Sequence, residues 1–114
     1  MEYACKVAGA KLVMVLGHEH CGAVKSAIDD VKLGNITALL TKIKPAILKS
    51  QDFTGEKTSK NEAFVKHVCE NNVRNTIEQI RAKSPILKEM ETKGQIKIVG
   101  AYFDLSDSSL EFVQ

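Results

Sequence analysis

His18 and Cys21, separated by Glu19 and His20 in the segment LVMVLGHEHC (Leu12 to Cys21), bring an imidazole and a thiol within four positions of each other. Both groups bind zinc and similar metals, and a cysteine thiolate is also a nucleophile toward electrophiles. The residues before them say where they sit. Five apolar residues in a row, Leu12 to Leu16, suit a strand covered on both faces, as in a parallel α/β sheet. Gly17 then allows a sharp turn, and Gly22 opens an amphipathic helix. His18 and Cys21 therefore fall just past the carboxyl end of a strand, where open α/β sheets bind their ligands. A cysteine at the first turn of the next helix also feels the positive end of the helix dipole, which favours the thiolate. Two donors make half of a tetrahedral zinc site, so a closed shell needs more than this pair.

The other candidate side chains read more plainly. Cys5 and Cys69 fall on apolar helical faces, where a free cysteine packs as a small hydrophobe. His67 follows Lys66 on a long helix and is expected at the surface. His20 lies inside the ligand loop and is expected to be exposed or to cap the helix, with service as a substitute ligand the alternative. Glu19 is expected to face solvent, and Asp104 in YFDLS to play a structural part.

The elements around the pair follow from periodicity. Glu2 to Ala10 reads as a helix with Tyr3, Val7 and Ala10 on one face, and Lys11 to Leu16 as the strand. The helix from Gly22 carries Val24, Ala27, Ile28 and Val31 at three-to-four spacing and is expected to stop at Gly34-Asn35. Thr37 to Lys44 makes another helix ended by Pro45. Ser50 to Asn61 is a polar loop, too short to separate two domains. Glu62 to Lys83 is the longest helix, with Val65, Val68, Cys69, Val73, Ile77 and Ile80 as its buried stripe. Ser84-Pro85 caps a short helix that ends at Gly94. Gln95 to Leu105 is a strand, and Ser106 to Ser109 turns the chain into a last strand, Leu110 to Val113.

Composition bounds the class. A chain of 114 residues with 44% hydrophobic content is expected to form one domain, residues 1–114. A net charge of +2, lysines and arginines interspersed with acidic residues, and few aromatics give no nucleic-acid footprint. There is no apolar run of membrane-spanning length and no signal-peptide pattern at Met1, so no membrane partner and a cytoplasmic location are expected. Three cysteines without scaffold spacing fit a reducing compartment.

The stretch EYACKVAGAKLVMVLGHEHCGAVKSA, Glu2 to Ala27, closely resembles the bacterial β-class carbonic anhydrases, in which a helix leads into a strand ending Gly-His and then x-x-Cys-Gly-Ala. The resemblance continues through NITALLTKIKPAI (Asn35 to Ile47), ENNVRNTIEQI (Glu70 to Ile80) and GAYFDLSDSSLEF (Gly100 to Phe112), so it spans essentially the whole chain. It implies that His18 and Cys21 are zinc ligands and that the reaction is the reversible hydration of carbon dioxide to bicarbonate, a lyase activity. The family's other metal-binding cysteine lies in a Cys-x-Asp-x-Arg motif, whose Asp and Arg orient the attacking water. No such motif occurs in this sequence, and the segment of Arg-Asn-Ala-Gly-Asn type is absent too. The chain thus resembles the carboxyl-terminal part of the enzyme, as in an amino-terminally truncated form.

The implied fold is α/β: a short, mostly parallel sheet of Lys11 to Leu16 and Gln95 to Leu105, flanked by helices, with Leu110 to Val113 as an antiparallel edge strand. Three functions are expected to compete. The chain is a zinc-dependent carbonic anhydrase, weakly active or inactive as it stands. Otherwise it is an inactive module in which two chains each donate His18 and Cys21 to one structural zinc, or a metal-free assembly partner. An apolar strand left with an open edge favours pairing or covering, so a homo-oligomer, a dimer or larger, is expected.

Overall fold

The computed structural model of the protein describes residues 1–113, and its central feature is a three-stranded sheet in the order β1 (Leu12–His18), β2 (Lys97–Phe103), β3 (Leu110–Val113). Strand β1 runs parallel to β2, with Leu12 opposite Lys97 and His18 opposite Phe103. Strand β3 returns antiparallel, with Phe112 opposite Ala101. This is the sheet expected from the sequence, with both long strands slightly shifted in their limits.

A parallel pair needs a long crossover, and five helices supply it here: α1 (Glu2–Lys6) precedes the sheet, and α2 (Gly22–Ile28), α3 (Ile36–Thr41), α4 (Lys44–Leu48), α5 (Glu62–Lys83) and α6 (Pro85–Thr92) connect β1 to β2. Helix α5 packs on all three strands, and α2, α4 and α6 pack on α5 in turn. Its stripe is buried at every expected position, Val65, Val68, Cys69, Val73, Ile77 and Ile80, with Phe64 buried as well. Asn61 caps its start by accepting a hydrogen bond from the Ala63 N–H. Ser84 does the same for α6 through the Leu87 N–H, with Pro85 in the first turn, where its missing N–H costs nothing.

Two glycines let α5 lie close to the sheet. A Cβ on Gly100 would stand 2.5 Å from Val73 Cγ1 and 3.0 Å from Ile77 Cδ1, and one on Gly17 would stand 2.7 Å from Cys69 Sγ. A methyl group there must push the helix off the strands. Gly100→Ala should therefore lower stability by about 1–3 kcal/mol, the usual cost of overpacking. Urea unfolding of the variant against the parent measures it; an unchanged midpoint would mean that α5 moves aside freely.

Four expectations need correction. Helix α2 ends at Ile28 and not at Gly34-Asn35, because Asp30 takes a left-handed conformation (φ 56°). The Asp30 and Val31 N–H groups then bond back to the carbonyls of Ala27 and Ser26, closing a Schellman motif without glycine. Pro45 starts α4 instead of ending α3, again using a first-turn position. Helix α1 stops at Lys6, and Tyr3, Val7 and Ala10 are exposed while Cys5 is its buried residue. Strand β1 is covered on one face only. Val13 and Val15 pack toward α5, but Leu12, Met14 and Leu16 point to the opposite face and are exposed.

Burial of Cys5 and Cys69 agrees with their reading as packing residues. Among the described residues, no helix is long and apolar enough to cross a membrane.

Candidate metal centre

His18 is the last residue of β1, and Cys21 is the residue at which α2 begins; its carbonyl accepts from the Lys25 N–H. The two donors are thus held by the end of one element and the start of the next, with a two-residue loop between them. His20 makes that loop tight by adopting a left-handed backbone, φ 58°.

The loop is tied to the carboxyl end of β2. The Glu19 N–H donates to the Phe103 carbonyl at 2.9 Å, extending the β1–β2 ladder by one residue. The Glu19 carboxylate turns inward and accepts from the Leu105 and Ser106 N–H groups at 3.0 and 3.2 Å. Asp104 accepts from the same Ser106 N–H at 2.9 Å and from its hydroxyl, and these bonds hold its carboxyl below the ordinary range. Glu19 is therefore a half-buried latch between two loops, where a solvent-facing side chain was expected. Its neighbours in sequence gave no sign of this, since its partners lie over eighty residues away.

His18 is exposed, and its Nδ1 lies 2.9 Å from the Glu19 carbonyl. A protonated Nδ1 donating to that carbonyl leaves Nε2 as the bare lone pair, the arrangement by which an imidazole is prepared for a metal. Cys21 is half-buried, and its side chain caps no helix N–H.

His20 is directed elsewhere. Its Nδ1 lies 3.3 Å from Glu62 Oε2 and its Nε2 3.7 Å from Glu19 Oε1, while Lys25 Nζ donates to Glu62 Oε1 at 2.9 Å. The Lys25 ammonium, with His20 adding to it, holds the Glu62 carboxyl below its usual value. His20 is thus exposed, as expected, and engaged by carboxylates. His67 departs from its surface reading: it is half-buried, 3.5 Å from Asp52 Oδ1, with its ring 5.5 Å from that of Phe53.

Cys69 comes nearest to the loop from beneath. Its thiol lies under Gly17 and donates to the His18 carbonyl at 3.9 Å. Burial pushes it up to about 11 from an ordinary 9.0, with nearby Cys21 and Glu70 adding to the shift. The folded protein therefore keeps this proton through neutral pH. The stabilisation that goes with it is complete below about 9 and is lost as pH rises toward 11. One consequence is chemical. A water-soluble thiol reagent at neutral pH should modify Cys21 well before Cys5 or Cys69, which should react only on unfolding. Three equally fast thiols in a stopped-flow disulfide-exchange assay would contradict this burial.

His18 and Cys21 have donor chemistry that suits zinc, yet among the described residues no group of three or more His, Cys, Asp or Glu side chains is gathered to hold a metal ion. A cavity of about 590 Å³ between α1, α5 and α6, lined by Tyr3, Ile80 and Leu87 among others, shares no residue with this loop.

Residues 1–110 match the sequence family described as "Carbonic anhydrase". A carbonic anhydrase of Mycolicibacterium smegmatis is 32% identical over 116 residues, covering 97% of this chain and 53% of the relative. Carbonic anhydrase 2 of Mycobacterium tuberculosis is 27% identical over 112 residues, covering 94% and 51%. The chain spans about half the length of the curated relatives it matches. Among solved structures, a tetrameric β-carbonic anhydrase of Sordaria macrospora superposes with a TM-score of 0.81 at 20% identity, over 98% of this chain and 56% of the other. The β-carbonic anhydrase CafA of Aspergillus fumigatus does so with a TM-score of 0.80 at 22% identity, over 99% and 53%.

Proposed function

Because the chain belongs to the carbonic anhydrase family, we propose that it serves the reversible hydration of carbon dioxide to bicarbonate by contributing two zinc ligands, His18 and Cys21. The observation that carries this reading is the ligand loop itself: a strand end and a helix start, latched to β2 through Glu19, with the imidazole Nδ1 set against a backbone carbonyl. A zinc ion bound there would supply Lewis-acid chemistry that brings the pKa of water from about 15.7 to about 7.

The chain's own residues do the holding. The Glu19 carbonyl fixes the orientation of the His18 ring, and the Glu19 carboxylate fixes the loop that carries it. Cys69 stays a neutral thiol and serves as packing under Gly17. The further donors of a zinc shell, and the acid that orients the water, are not in this loop. No Cys-x-Asp-x-Arg segment occurs in these 114 residues to supply them. Self-association into a homo-oligomer accompanies this role, as in the relative described as tetrameric.

Zinc titration against a competing chelator tests the reading. The protein should take up zinc at the His18–Cys21 pair, more weakly than a site with four donors. A protein that takes up none at neutral pH would remove the proposal.

A further inference from the structure

His67 on α5 presents one ring nitrogen to two groups of opposite character. Its Nε2 lies 3.5 Å from the Asn71 amide nitrogen and 3.5 Å from Asp52 Oδ1. The orientation of the Asn71 amide is fixed by its other partners. Arg74 Nη1, which can only donate, bonds Asn71 Oδ1 at 2.9 Å, so the NH2 group is the one turned toward His67. One N–H of that group donates at 2.8 Å to the fully buried Ser50 hydroxyl, whose own proton goes to the Ala46 carbonyl. The other N–H is left for His67. A neutral ring with its proton on Nδ1 accepts there through Nε2, whereas a protonated ring would set donor against donor. The acceptor within reach of a protonated ring is Asp52.

We infer that His67 is a pH-operated latch on the segment 51–61 that joins α4 to α5. Neutral, the ring accepts from Asn71 and leaves Asp52 unheld. Protonated, it gives up Asn71 and donates to the Asp52 carboxylate, which closes the start of the segment onto α5. Phe53 favours the closed form, because its ring centre is 5.5 Å from that of His67, inside the roughly 6 Å over which a cation is drawn to an aromatic ring. Phe53 is itself seated edge-on against the buried Phe64 at 5.4 Å. The other charges nearby have partners of their own. Lys49, at the end of α4, reaches Glu78 at 3.4 Å; on α5, Lys66 donates to Glu111 at 3.2 Å and Glu70 lies 3.9 Å from Arg74. Glu56, Lys57 and Lys60, farther along the segment, are exposed and form no ion pair with His67.

The latch stands apart from the zinc reading, since neither His18 nor Cys21 belongs to it. Its position still matters to the rest of the molecule. The segment that begins at the latch ends in Asn61, which caps α5, and Glu62, which accepts from Lys25 of α2 at 2.9 Å. Closing it therefore holds the chain that leads into the helix beside the ligand loop.

The test uses the purified full chain in zinc-free buffer, which keeps its outcome independent of metal binding. Hydrogen exchange read by NMR follows the Phe53 N–H, which donates to the Ser50 carbonyl at 3.2 Å inside the part the latch closes. The buried Val68 and Val73 amides of α5 report the stability of the whole fold and serve as the reference. Relative to them, and corrected for intrinsic rates, Phe53 should exchange about two- to five-fold more slowly at about pH 5.5 than at about pH 7.5, the size expected of an exposed ion pair. In Asp52→Asn that difference should vanish, and the side chain is 82% exposed, so the fold is kept. Nitrogen-15 shifts of the parent at about pH 7.5 should place the His67 proton on Nδ1. Three results overturn the latch: a Phe53 rate that does not change between the two pH values, a difference that persists in Asp52→Asn, or a neutral ring with its proton on Nε2.

Discussion

Cys21→Ser should strip the protein of the zinc it takes up, while Cys5→Ser leaves zinc content unchanged. The asymmetry follows from where the two thiols sit. Cys21 stands at the start of α2, half-buried beside the His18 loop, and Cys5 is sealed in a core cluster with Val73, Ile77 and Leu87. A serine hydroxyl does not ionise near neutral pH and is a hard donor, so the substitution leaves one imidazole to hold the ion. Loss of an outer partner of a metal ligand already costs about 10–100-fold in affinity, and loss of a ligand from a pair costs more. The expected change is therefore at least about a hundred-fold weaker binding, read by chelator competition or by metal analysis after gel filtration. The substitution is small and half-exposed, and circular dichroism should show the fold intact. Equal zinc content in Cys21→Ser and the parent would move the site away from this loop.

The parts of this molecule that could be read from its sequence are those whose signal is local and long. Helix α5 has the limits its stripe predicts, because six buried positions at helical spacing, an asparagine cap and Ser84-Pro85 all agree. Strand β3 and the parallel pairing of β1 with β2 follow from apolar runs separated by a helical crossover. The misread features depend on geometry that residue type does not encode. Asp30 ends α2 in a left-handed conformation usually given to glycine, and the Gly34-Asn35 signal downstream was the more visible one. An uninterrupted run of five apolar residues fits a strand covered on both faces. It cannot say whether the second cover belongs to this chain, and here Leu12, Met14 and Leu16 are bare.

The site divides in the same way. His18 and Cys21 were visible as a spaced pair of donors at the end of a strand. The Glu19 latch was not, since its partners Leu105 and Ser106 come from the other end of the chain. Nor could spacing show that His20, between the two donors, is drawn off by Glu62 and Glu19. Folding decides which of the two histidines, His18 or His20, is left with a free nitrogen.

Isolated chains should hydrate carbon dioxide at least about a hundred-fold more slowly than a relative of full length, even with zinc supplied. Binding an ion is not enough for this reaction. The attacking water has to be held in line, and removal of a single preorganised polar group from such a site commonly costs about 10²–10³-fold. The loop holds no free group of that kind: Glu19, the nearest carboxylate in sequence, is occupied by two backbone N–H groups, and His20 by two carboxylates. Three or more donors are not gathered among the described residues, so an ion bound by the proposed pair would be loosely held. A stopped-flow pH-indicator assay with added zinc measures the rate. A rate equal to that of a complete relative would show that this chain assembles a full shell unaided. Glu19→Gln and His20→Ala would then be the first variants to examine, because those two side chains alone lie within the loop and carry an acid or a base.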